Sequence, residues 1–202
     1  MTSKDQKQRE KILKGTQELI MSQGFTNTST HQLVKHIRIS KTTLYKHFST
    51  KEELIKEAIL SILNEIENEL NAIIKKENVL LLDKIQQFMY VVVGHVKDLR
   101  IDVINDIKQN APEIYLAVIE RQSQIIDHYA LILFNEAVAQ GIFRRDLDQR
   151  VVIDVIINSA KHLASPSYLQ HSPHTFESIF QQIFKLVIEG NLSSFQREKL
   201  IK

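Results

Sequence analysis

The chain has 202 residues with 26 Lys and Arg, 24 Asp and Glu, and no cysteine, which excludes disulfides, thiolate zinc sites, iron–sulfur clusters and cysteine nucleophiles together. Hydrophobic residues at 43% suit a globular core, and five Gly with three Pro leave too few breakers for a Gly-rich phosphate cradle, so long helices with short connections are expected. The formal charge of +2 is unevenly placed: residues 1–51 hold ten basic and three acidic side chains, a charge of +7, and the rest carries −5, so only the first quarter is expected to meet a polyanion.

Apolar residues recur at helical spacing almost throughout. Ile12, Leu13, Leu19 and Ile20 line one face of a first helix that Gly24-Phe25 ends. Ser29 and Gln32 have the capping-box spacing and open a short second helix with Leu33, Val34 and Ile37 on its apolar side. A tight turn, Ile37-Arg38-Ile39-Ser40, leads into a third helix over residues 41–48, with Leu44 and Phe48 four apart. Thr50 and Glu53 repeat the capping spacing. Ile55, Ile59, Ile62, Ile66, Leu70 and Ile73 then mark a long amphipathic helix from residue 50 to about 76.

Further helices are predicted near 79–98, 101–110, 113–140, 148–164 and 175–189. Pro112 stands at a helix start, where its missing N–H costs nothing, and Gly141 closes the long helix before it. Ser165-Pro166 and Ser172-Pro173 bound a predicted loop. The β-branched run from Val151 to Ile157 leaves a strand as the rival reading, but the apolar stretch has full helical length. The expected fold is all-α, with about nine helices. His171 and His174 flank Pro173 without further ligands, so no metal and no cofactor are expected. The longest apolar runs have six residues, against the roughly 18 needed to cross a bilayer. Residues 1–10 are polar and show no signal-peptide pattern, so no membrane contact and a cytoplasmic location are expected.

The third helix carries the chemistry. Lys41, Thr42, Thr43, Tyr45, Lys46 and His47 can each donate a hydrogen bond and none is an acid. Burying Leu44 and Phe48 turns these donors outward. A helix about 10–12 Å wide fits the B-DNA major groove, itself about 12 Å wide. Two short helices around a tight turn, the second bearing such a face, follow helix-turn-helix logic. No nucleophile-elbow, P-loop, dinucleotide or zinc-protease motif is present, and no enzyme activity is expected.

The run Arg38-Ile39-Ser40-Lys41-Thr42-Thr43-Leu44-Tyr45-Lys46-His47-Phe48-Ser49-Thr50-Lys51-Glu52-Glu53-Leu54 resembles the "GVSKGTLYxHFxSKEEL" run of TetR-family transcriptional regulators. With Gly24-Phe25, Thr28-Ser29 and Leu33-Val34 in register, the resemblance covers about 45 residues. Beyond them it rests on helical outline and on the stretch Gly141-Ile142-Phe143-Arg144 to Asp146-Leu147-Asp148. Arg38 and Thr42 stand where the family commonly has Gly, and Gly15 where it more often has Ala.

The resemblance implies a three-helix helix-turn-helix domain at 1–50 and a ligand-binding and dimerisation domain at 51–202. It implies a homodimer on double-stranded operator DNA. Thr42, Thr43, Tyr45 and His47 are the candidates for base edges or nearby sugars, and Ser29, Thr30, Ser40, Lys41, Lys46 and Lys51 for phosphates. Dimerisation is expected through the helices near 148–164 and 175–189, the latter carrying Phe176, Ile179, Phe180, Ile183, Phe184 and Val187. A small, largely apolar effector is expected in the second domain, with Phe88, Met89, Tyr90, His95, Tyr115, His128 and His162 as candidate contacts. The implied function is a repressor released from its operator by that effector. An activator, or an architectural or cell-division factor of the same fold without a small ligand, remains the alternative.

Overall fold

The structure is a computed structural model. It describes residues 3–97, 100–163, 166–169 and 171–192, apart from the side chains at 93–97, 160, 161, 166, 167 and 176. These residues form α1 (Ser3–Gln23), α2 (Thr30–Ile37), α3 (Lys41–His47), α4 (Lys51–Ile74), α5 (Leu81–Lys97), α6 (Ile101–Asn110), α7 (Pro112–Ala139), α8 (Gln149–Leu163), α9 (Pro166–Leu169) and α10 (Phe176–Asn191). The fold is all-α, as expected. The Val151–Ile157 run is helical, inside a 15-residue helix whose apolar positions continue to Ala160 and Leu163, past ordinary strand length. The single turn α9 falls inside the segment predicted as a loop. Pro166 at its first position starts it, but four residues are too few to show a period.

The chain divides into two compact units, Met1–Glu67 with Leu99–Ser123, and Asn68–Asp98 with Gln124–Lys202. In the first unit α2 packs on α1 and α3, and α6 packs on α1. One buried cluster joins Ile12, Leu13 and Leu19 of α1 to Leu33, Ile37, Leu44, Phe48, Leu54 and Ala58. A second joins Ile20, Phe25 and Ile55 to Val103, Ile107 and Ile114, with Tyr115 packed against it. α1 and α4 therefore share a core with α6 and the start of α7. Gly15 has a packing reason: a Cβ there would lie 2.7 Å from Ile37 Cγ1. Only glycine lets α1 and α2 approach this closely without moving a β-branched side chain.

In the second unit α10 packs against α8 and α5. Phe134 and Phe143 meet there with ring centroids 5.2 Å apart. Gly141, with φ +69, ends the turn after α7 in the left-handed region that favours glycine. The segment beyond it is tied to the end of α10 by an antiparallel bridge between Phe143 and Leu192 and by the Arg144 amide donating to the Asn191 carbonyl at 2.8 Å. Among the described residues no helix is long and apolar enough to cross a membrane.

Candidate nucleic-acid interface

Local chemistry sets the two short helices. Ser29 accepts from the Gln32 amide while the Gln32 side chain accepts from the Ser29 amide at 2.8 Å, so both members of the capping box are made. Ser40 caps α3 by accepting from the Thr43 amide at 3.0 Å. Between them Arg38 lies at φ 58, ψ 57, and both its amide and that of Ile39 donate to the Val34 carbonyl. The turn keeps the left-handed conformation usual for glycine, although the residue is arginine. That geometry costs roughly 1–2 kcal/mol for a residue with a Cβ.

Leu44 and Phe48 are buried. Lys41, Thr42, Tyr45 and Lys46 are exposed, Tyr45 by 49% despite its ring. Thr43 and His47 are half-buried. The Thr43 hydroxyl lies 2.8 Å from that of Ser40, so this base candidate also belongs to the helix cap. Ser29 is exposed and Thr30 half-buried at the start of α2. Lys51 opens α4 with its ammonium 4.6 Å from the centroid of the Phe25 ring.

Distant residues that the spacing does not reveal reach this surface. Asp5 of α1 pairs with Lys46 at 3.2 Å, placing an acid beside a face that has none of its own. Arg9 pairs with Glu57 and covers the Phe48 ring at 5.0 Å, bracing the end of α3. Asp106 of α6 accepts from the Thr26 amide at 3.0 Å and from the Thr26 hydroxyl. Burial pushes this carboxylate up, but hydrogen bonds from Thr26, Asn110 and the Phe25 amide outweigh burial and hold it below its ordinary range.

The effector candidates scatter. Phe88 and Met89 are buried in the second unit, whereas Tyr90 beside them is 70% exposed. His128 and His162 are exposed, their rings against Tyr129 and Tyr168. Tyr115 belongs to the first unit, under the Lys108 ammonium at 5.7 Å. The side chains of His95 and Phe176 lie outside the described residues. An open groove of about 450 Å³ between α1 and α4 is lined by Arg9, Leu13, Glu53, Glu57 and neighbours, none of them an effector candidate.

Residues 12–58 match the family model described as bacterial regulatory proteins, tetR family. The chain is 23% identical over 182 residues to the uncharacterized HTH-type transcriptional regulator YvaF of Bacillus subtilis (strain 168), covering 89% of this chain and 93% of that protein. In fold it is similar to a TetR-family transcriptional regulator from Agrobacterium tumefaciens, with TM-score 0.67, 15% identity and coverage of 94% and 100% of the two chains. It is also similar to the transcriptional regulator FadR from Bacillus subtilis in complex with stearoyl-CoA, with TM-score 0.65, 16% identity and coverage of 90% and 98%.

Proposed function

We propose that this chain, a helix-turn-helix transcriptional regulator of the TetR family, is a homodimeric repressor whose recognition helix is α3 and which leaves its operator when a small, largely apolar molecule binds. The observation that carries the DNA-binding half is the outward face of α3. Its exposed donors stand on a buried Leu44 and Phe48, in the segment of the chain that holds the excess positive charge. Thr42, Thr43, Tyr45 and His47 read bases or nearby sugars. Ser29, Thr30, Ser40, Lys41, Lys46 and Lys51 set the register on phosphates.

Dimerisation through α8 and α10 accounts for apolar side chains that the protomer leaves uncovered. Val151 and Val155 of α8 are each 60% exposed and Leu186 of α10 is 72% exposed, on two helices that pack on each other. The effector class rests on the apolar side chains buried in the second unit, Phe88, Met89 and Phe134 among them. A fold neighbour in complex with stearoyl-CoA is consistent with it. Reversing a 1:99 population to 99:1 takes about 5.5 kcal/mol of differential binding, within reach of one enclosed ligand per protomer.

Gel shifts on a duplex selected by the wild-type protein test the reading. Lys46→Ala is expected to weaken binding about uniformly across sequences and to lower the salt slope by about 1, whereas Tyr45→Ala narrows the gap between operator and random DNA. Unchanged affinity in both removes α3 as the recognition helix. Saturated acyl-CoA esters and free fatty acids serve as first effector probes in a thermal-shift assay. A binder at about 100 times its dissociation constant adds roughly 2.7 kcal/mol of stability. A probe that stabilises the protein yet leaves operator binding untouched contradicts release.

A further inference from the structure

We infer that Arg100 and Asp106 are positioning residues for DNA binding, which clamp the α1–α2 turn so that the start of α2 meets the phosphate backbone; the inference rests on the DNA-binding reading above. The turn runs from the end of α1 to Ser29 and contains Gly24 at φ +87. Its own hydrogen bonds are the Gly24 amide to the Ile20 carbonyl at 2.8 Å, the Thr28 amide to the Phe25 carbonyl at 3.1 Å, the Thr28 hydroxyl to the Gly24 carbonyl at 2.6 Å, and the Gln23 and Asn27 side chains each donating to the other's carbonyl, with Gln23 also 3.5 Å from the Thr28 hydroxyl. Its start and its middle are held from elsewhere in the chain. Arg100, the residue before α6, donates from Nη1 to the carbonyls of Met21 at 3.0 Å and Ser22 at 2.8 Å, in the last turn of α1 where carbonyls lack helical partners. Asp106, about one and a half turns along α6, takes the amide and hydroxyl of Thr26.

Both clamping side chains are themselves oriented. Asp102 accepts from Arg100 Nε at 3.1 Å, and Asn110 donates to Asp106 Oδ1 at 2.9 Å. The approach is close to backbone contact, since a Cβ on Gly24 would lie 2.6 Å from Asp106 Oδ2. Between the two clamps, Phe25 enters the cluster formed with Val103 and Ile107 of the same helix and carries the Lys51 ammonium on its ring. The exposed Arg100–Asp102 pair adds little to stability, and the half-buried Asp106 contributes hydrogen bonds to the turn at Thr26. What they fix is direction. Thr26 stands three residues before Ser29, the cap of α2, and Phe25 supports Lys51, so three phosphate candidates (Ser29, Thr30 and Lys51) inherit their place from this turn. Preorganising such contacts raises affinity by removing the ordering cost from the binding step.

The experiment uses the full-length protein and a duplex it selects from random DNA. Asp106→Ala is expected to weaken operator binding about tenfold, equivalent to roughly 1.4 kcal/mol. Phosphate-ethylation interference is expected to fade at the phosphates opposite Ser29 and Thr30 and to persist opposite Lys41 and Lys46. Asp106→Asn, which keeps an acceptor for the Thr26 amide, restores most of the affinity. Thr26→Val produces a smaller loss and adds nothing in the Asp106→Ala background, because the hydroxyl contact it removes is already gone there. Variants with a lowered melting temperature but wild-type affinity and interference pattern overturn the inference, since the clamp then serves stability alone. If Asp106→Ala does not fold, Thr26→Val decides by the same two readouts. A wild-type protein that binds no duplex removes the DNA-binding reading itself, whereas a binding wild type beside equally binding variants removes only the clamp.

Discussion

Lys46 shows how one side chain can be both available and occupied. Its ammonium lies 3.2 Å from the Asp5 carboxylate while the side chain remains 68% exposed. A phosphate that takes this ammonium must displace Asp5. An exposed ion pair is worth about 0–1 kcal/mol, so the competition is modest. Asp5→Asn is therefore expected to raise operator affinity by up to about fivefold at low salt, with the gain shrinking as salt screens both partners. Fluorescence anisotropy on labelled duplex measures it; a loss of affinity would place Lys46 away from the phosphate backbone. Asp5 was invisible to sequence reasoning, which sees that α3 carries no acid but not that an acid 41 residues earlier folds beside it.

The helices were legible wherever the deciding interaction is local. Ser29 with Gln32, and Ser40 before Lys41, cap within three residues, and the structure makes both contacts. Thr50 accepts from the Glu53 amide at 3.0 Å, while the Glu53 carboxylate reaches one residue further back, to the Ser49 amide. A non-glycine residue at position 38 can either reshape the turn or bear the strain of a left-handed backbone. Arg38 bears the strain at φ 58. Arg38→Gly is expected to stabilise the protein by about 0.5–1 kcal/mol, the left-handed penalty less the added entropy of glycine in the unfolded chain. Urea unfolding measures it; an unchanged or lower midpoint at constant slope would show that the arginine gains an offsetting contact. By helix propensity alone, Gly15 inside α1 costs about 1 kcal/mol relative to Ala. Its reason, the Ile37 side chain pressed against the bare backbone, belongs to tertiary packing and leaves no mark in the α1 sequence.

At the scale of the molecule, charge and packing separate differently. The basic excess ends near residue 51, yet the first compact unit continues along α4 to Glu67 and takes in α6 and part of α7. Composition marks the basic segment to which the proposed DNA contact is assigned. It does not mark which helices share a core with that segment, because α6 contributes Val103 and Ile107 from 80 or so residues along the chain. The DNA candidates lie close in sequence and gather on α3 and the helix starts beside it. The effector candidates come from three separate helices, and the periodicity that shows them as helical does not show which way each points; Tyr90 follows two buried residues and faces outward.

The most direct measurement is selection of random duplexes by the purified full-length protein, followed by sequencing and sizing of the complex. The expected result is a two-fold symmetric sequence with half-sites about 10–10.5 base pairs, or a multiple of that, apart, bound by an even number of chains and lost on Lys46→Ala. Retention of every duplex equally at low salt, or selection of an asymmetric site by a single chain, would contradict a paired recognition helix.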